Sequence, residues 1–228
     1  MAARVAIRIL RVTALIVVTA LGVSCSASKS GSETSAGSDS RVEGSSASDP
    51  TSPTAPTEAT DTAAALALLN GDIEVLTDQL GDPAVASAAR TVLESGDAEP
   101  PLRFAASYVW ANVGDDPAVL VPLLTDPDPA IALTAAIGVV AQGGREGFAP
   151  LIAALTSTNA LEYYDTGEPA WSAANVALVQ FTGIASNGPP FDANASQLAL
   201  AQQRWQAWLD VNAGSLSFDA ATGVWTTS

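Results

Sequence analysis

Asp126-Pro127-Asp128-Pro129-Ala130-Ile131-Ala132-Leu133-Thr134-Ala135-Ala136-Ile137-Gly138-Val139-Val140-Ala141-Gln142-Gly143-Gly144 is the stretch that decides how this chain folds. An Asp before a Pro marks a helix start. The carboxylate accepts the first free backbone amides, and proline at the first helical position lacks only an N–H that has no intrahelical partner anyway. Ile131, Ala135, Ala136, Val139 and Val140 follow at helical spacing, and Gly143-Gly144 stops the run. Phe148, Leu151, Ile152 and Leu155 then form a second stripe, so the unit reads as two helices joined by a glycine turn.

The same grammar recurs along the chain. Asp82-Pro83 opens Val85, Ala88, Ala89, Val92 and Leu93, ended at Gly96. Glu99-Pro100-Pro101 opens Phe104, Ala105, Tyr108, Val109 and Ala111, ended at Gly114, and Asp116-Pro117 opens a short partner helix through Val119, Leu120, Leu123 and Leu124. Overlaying the two units puts Pro122 on Pro150 and Ala105-Ala106 on Ala135-Ala136, a period of about 30 residues that suits a two-helix repeat. A third first helix starts at Glu168-Pro169 and carries Trp171, Ala173, Ala174, Ala177, Leu178 and Phe181 up to Thr182-Gly183. It comes late, because an insertion over 159–167 precedes it, holding Leu161, Tyr163 and Tyr164. Insertions between repeats map to one face, often the binding face.

Outside these units, Asp61 to Leu69 and Asp72 to Leu80 read as short helices split by Asn70-Gly71. Ser196 to Val211 reads as a helix with Leu198, Ala201, Trp205, Trp208 and Leu209 inward, its start capped by Asn194, and Ser215 to Thr226 as a hairpin around Thr222-Gly223.

The run from about Pro100 to Thr156 resembles HEAT repeats of the bilin-lyase type, whose pattern is Asp-x-x-Pro-x-Val-Arg, an Ala-rich helix, Gly, and a second helix rich in Pro and Leu. Asp126-Pro127-Asp128-Pro129-Ala130-Ile131 and Phe148-Ala149-Pro150-Leu151-Ile152 carry the likeness. Ala132 stands where the family has Arg, while Arg103 holds a comparable place one unit earlier. The resemblance implies an all-α fold, a short α-solenoid of antiparallel helix pairs, with the C-terminal helix as a cap; the small β-hairpin after it is read from the alternation of its own residues.

The first 60 residues belong to a different class. Arg4, Arg8 and Arg11 flank the apolar run 12–21, which is short for a membrane span and has the charge pattern of an export signal. Cys25, the only cysteine of the chain, follows Leu21-Gly22-Val23-Ser24 and resembles a bacterial lipoprotein lipobox, with Gly22 where Leu is usual. The expected organisation is a signal peptide over 1–24, a lipidated Cys25 with a Ser/Thr-rich stalk over 25–60, and the helical domain over 61–228. Ordinary cleavage after Ala20 or Ala27, leaving a secreted protein, is the alternative. Residues 26–60 hold 11 Ser and 5 Thr and almost no large apolar side chain, too little to offset the entropy of ordering. As a coil, that stalk spans about 30 Å.

The formal charge of the chain is −15, and losing the signal's three arginines makes it more negative. Such a balance argues against nucleic acid and against direct attraction to anionic lipid, so contact with a membrane is expected through the lipid anchor only. With one cysteine, no disulfide forms within the chain. The sequence has no histidine, the usual base of serine and cysteine hydrolases and a usual zinc ligand. Asp115, Asp116, Asp126 and Asp128 crowd two turns, but they lack EF-hand spacing and read as helix caps.

The expected function is an envelope-anchored scaffold that binds another envelope protein, without catalysis, metal or cofactor. Tyr163, Tyr164 and Trp171 are the expected partner-binding residues, as aromatic anchors of the kind that dominate interfaces. The alternative is a small-ligand or glycan-binding lipoprotein, or a weak hydrolase, using the same insertion with Glu162, Asp165 and Glu168 as carboxylates. The anchor is directly testable: Cys25→Ser is expected to move the protein from the membrane pellet to the soluble or secreted fraction on ultracentrifugation and immunoblotting. Unchanged pelleting of the variant would remove the lipid anchor.

Overall fold

The computed structural model describes residues 65–70, 73–161 and 167–228. The signal, Cys25 and the stalk lie outside the described residues, as do Glu162, Tyr163, Tyr164 and Asp165. The described chain is mostly helical, with one small antiparallel hairpin at its C-terminal end. After a helical stretch over 65–69 come α1 (Ile73–Asp78), α2 (Pro83–Ser95), α3 (Pro100–Val113), α4 (Pro129–Ala141), α5 (Phe148–Ala154), α6 (Ala170–Thr182) and α7 (Ala195–Asn212). Strands β1 (Leu216–Asp219) and β2 (Val224–Thr227) follow. Among the described residues no helix is long and apolar enough to cross a membrane.

The Asp-Pro starts work as their chemistry requires. The Asp82 side chain accepts the amide of Ala84 at 2.8 Å, and Asp128 accepts that of Ala130 at 2.9 Å. Asn194 and Gln197 form a reciprocal capping box at the start of α7, each side chain accepting the other's backbone amide. Helices α2 and α6 end on Gly96 and Gly183, both at φ 73°, the left-handed conformation that glycine adopts without steric cost.

The structure differs from expectation at several places: Glu99 makes no side-chain cap bond, Pro169 rather than Glu168 stands at the start of α6, and α1 ends at Asp78 rather than Leu80. In place of a partner helix after Asp116 there are two 3-10 turns, Pro117–Val119 and Val121–Thr125. Pro122 is the reason: it has no N–H, and in an α-helix its ring would collide with the carbonyl four residues back. The chain closes i→i+3 bonds instead, Leu120 to Pro117, Leu123 to Leu120 and Asp126 to Leu123, each 3.0 Å. Asp116 still caps the first turn, accepting from Ala118 at 3.0 Å.

Helix α4 is the hub. Every residue from Leu133 to Val140 is buried, which over two turns means neighbours on all sides. These neighbours are α3, the two turn segments Val121–Thr125 and Arg145–Gly147, α5 and α6. Helices α3 and α4 lie side by side and run in the same direction. Near their starts Arg103 bonds Asp126, Nε to Oδ2 at 2.7 Å, and at their ends Gln142 Nε2 donates to the carbonyl of Trp110 at 2.7 Å. Helix α3 is itself buried without a break from Phe104 to Asn112. It shares Phe104, Trp110 and Ala111 with the core around α4, and offers Ala105, Ala106, Tyr108 and Val109 to a second core with α1 and α2.

The hairpin closes the far end of α4. Trp225, opposite Phe218 in the β1–β2 register, donates Nε1 to the carbonyl of Val140 at 3.0 Å and meets the edge of Phe148 at a centroid distance of 5.3 Å. Phe218 lies over Gly143, whose φ of 91° favours glycine; a β-carbon there would come within 2.7 Å of the ring.

Gly138 sits where α4 crosses α3. A β-carbon there would stand 2.6 Å from Ala111 Cβ and 2.8 Å from Ala111 Cα, atoms that cannot swing away. Gly138→Ala would gain about 1 kcal/mol of helix propensity, but overpacking costs about 1–3 kcal/mol and Ala111 cannot yield. We expect a net loss of up to about 2 kcal/mol, read as a lower urea midpoint at unchanged slope. A stabilised variant would show that the two helices are not in this contact.

Candidate functional site

The insertion before α6 is closed at its neck. Ala160 and Pro169 form an isolated antiparallel bridge. Leu161 donates its amide to the carbonyl of Glu168 at 3.2 Å, and Ala170 donates to Asn159 at 3.0 Å. One residue further on, the Trp171 amide donates to Ser157 at 3.1 Å. Leu161 is 2 % exposed and belongs to the α4 core, so one strand of the neck is anchored by burial as well as by hydrogen bonds. The other strand runs straight into the first turn of α6, where the Ser172 hydroxyl donates to Glu168 Oε1.

Of the three expected aromatic anchors, the structure places one. Trp171 is half-buried in the first turn of α6, beside the neck. Tyr163 and Tyr164 fall outside the described residues, so nothing here brings the three together. Of the three carboxylates considered for sugar chemistry, Glu168 alone is described, and its oxygen is engaged by Ser172.

The crowded aspartates divide by role. Asp116 and Asp128 cap helical turns, while Asp126 both accepts the amide of Asp128 at 2.9 Å and pairs with Arg103. Arg103 also donates to the carbonyl of Ala98 at 2.6 Å, so its guanidinium ties the loop before α3 to the loop before α4. Among the described residues no group of three or more His, Cys, Asp or Glu side chains is arranged to hold a metal ion.

Two exposed apolar features were not read from the sequence. Phe191, after Gly188-Pro189-Pro190, is 96 % exposed. On α7, Leu200 and Val211 point outward although the sequence reading assigned that helix only an inward stripe. The signal was present as a second apolar spacing on the opposite side of the same helix. Trp110, Phe148, Phe181 and Trp205 are buried as the stripes require, and Trp208 is half-buried against Phe148. Comparison of the chain with protein-family models, with curated proteins and with solved structures returns no match in any of the three.

Tyr108 is the buried titratable group of α3. Removal from water pushes its phenol above the ordinary value, and the bond it makes with the Thr77 hydroxyl at 3.2 Å pulls the other way. A phenol whose folded pKa exceeds its unfolded value near 10 holds its proton more tightly when folded. Its contribution is therefore whole below pH about 10 and is lost as pH rises through the folded value. We expect urea stability to fall between pH 10 and 11 more steeply in the native chain than in Tyr108→Phe. Equal slopes for the two proteins would show that this phenol does not couple to folding.

Proposed function

We propose that the chain is a short HEAT-like α-solenoid, carried on a stalk from a lipid anchor at the outer face of the cell membrane, and that it works as a scaffold binding another envelope protein without chemistry of its own. The side-by-side, same-direction packing of α3 and α4, joined near their starts by Arg103 and Asp126, supports the repeat reading. First helices of successive HEAT-like units would stand in this relation, with the turns over Pro117–Thr125 as a reduced second helix. The observation that carries the binding reading is the backbone-bonded neck of the insertion, which stands beside a half-buried Trp171. Aromatic side chains on a rigid base lose little entropy on binding.

The test is a pull-down from detergent-solubilised envelope with the purified full chain as bait and the Tyr163→Ala, Tyr164→Ala, Trp171→Ala triple variant beside it. One protein retained by the native bait and lost with the variant, at an unchanged melting temperature, is the expected result. Loss of binding together with a large fall in melting temperature would make these residues core, and no specific protein would remove the scaffold reading.

A further inference from the structure

Of the seven asparagines of the chain only Asn194 has Ser or Thr two places on, in Asp192-Ala193-Asn194-Ala195-Ser196, the acceptor pattern for an N-linked glycan. Such a triplet alone decides nothing; its surroundings do. Asn194 is exposed, as are Asp192, Ala195, Ser196 and Gln197, and its backbone is extended at φ −82° and ψ 170°. The capping box at the start of α7 uses only one end of its amide. Oδ1 accepts the amide of Gln197 at 3.1 Å, while the Gln197 side chain accepts the amide of Asn194 at 2.9 Å. Among the described residues Nδ2, the atom that would carry a glycan, donates to no partner, and the Ser196 hydroxyl is equally unengaged. An amide that bears a sugar on nitrogen keeps its oxygen as an acceptor, so the cap and the glycan are compatible.

The loop supplies a second, independent observation. Phe191, three residues before Asn194, is 96 % exposed. It stands on a turn that is stiff on both sides: Pro189 and Pro190 fix φ before it, and the Ala193 amide closes onto the carbonyl of Pro190 at 3.2 Å. Three residues of chain hold the α-carbons of Phe191 and Asn194 within about 11 Å of each other. A pyranose has a face of C–H groups, and an aromatic ring presents a negative face that attracts them. A sugar on Nδ2 is therefore the one occupant of this ring that the chain itself would bring there.

We propose that Asn194 is N-glycosylated in the export compartment and that the first sugar packs on the ring of Phe191. The proposal rests on the export reading and on no partner protein. The donor class is an oligosaccharide linked to a lipid through diphosphate. Asn194 Nδ2 bonds to the anomeric carbon, the bond from that carbon to the diphosphate oxygen breaks, and the lipid diphosphate leaves with the electron pair. One amide proton passes to a base of the transferase. Asp192 makes no hydrogen bond among the described residues, and it offers that enzyme a fixed negative charge two residues before the acceptor.

The experiment purifies the full chain from the envelope, secreted and cytoplasmic fractions of the cells that produce it and sequences the peptide holding Asn194 by mass spectrometry. Ser196→Ala, which keeps the Asn194 cap, and Phe191→Ala are treated alike. The expected result is a sugar mass on Asn194 of the exported native chain, absent from Ser196→Ala and retained in Phe191→Ala. The fall in melting temperature caused by Ser196→Ala should exceed by about 2 °C the fall it causes beside Phe191→Ala, because only the native ring has a sugar to lose. Unmodified Asn194 in the exported chain, or a sugar on Ser196 instead, would overturn the proposal. Unmodified Asn194 in a chain retained in the cytoplasm would overturn it together with the export reading, and equal falls in the two backgrounds would remove the contact with Phe191.

Discussion

Helix α4 has to be enclosed. Eight consecutive buried residues, Leu133 to Val140, leave it no face for water, and this requirement orders the rest of the molecule. Neighbours reach it on every side only because two glycines allow close approach. Gly138 lets α3 lie against it at Ala111, and Gly147 brings the next turn onto its backbone, where a β-carbon would stand 2.5 Å from the carbonyl oxygen of Ala136. Both ends are then finished by other parts of the chain: Asp128 at the start, and Gln142 with Trp225 at the finish. With no disulfide available, cohesion comes from this burial and from the aromatic contacts of Phe148 with Trp208 and Trp225.

Charge plays a different part. The Arg103–Asp126 pair joins residues 23 positions apart, with side chains 17 % and 5 % exposed. Bringing two ions so far out of water costs much of what their attraction returns. What the pair does is join the first turn of α3 to the loop before α4, across 23 residues of chain. Arg103 adds a bond to the Ala98 carbonyl, so the same guanidinium also directs the chain as it enters α3.

Local chemistry made much of this legible in advance. Asp-Pro starts, left-handed glycine stops and the Asn194 cap are decided within a few residues, and the helices they bound appeared where expected, with α7 differing by one residue at each end. The 3-10 turns were missed because the apolar spacing after Asp116 is helical while Pro122 forbids the bonds a helix needs. Trp225 was expected to pack down, but its bond to Val140, 85 residues away, has no local sign. Exposure of Phe191 has no local sign either, while the second apolar spacing of α7 is visible in the sequence but gives no indication by itself that it faces water. At the insertion, composition gave the aromatic residues and the neck gave their base, while the two tyrosines lie outside what the structure describes.

The neck of that insertion separates two kinds of sequence change. Among the described residues its bonds run between backbone atoms of Asn159, Leu161, Glu168 and Ala170, and Leu161 and Ala170 both join the core around α4. Backbone bonds are indifferent to side-chain identity, so the exposed side chains of Asn159 and Ala160 can be exchanged without loss of the neck's bonds. Sequence change at the neck is therefore limited by volume at Leu161 and Ala170, and at Asn159 and Ala160 only by the need to keep an extended backbone.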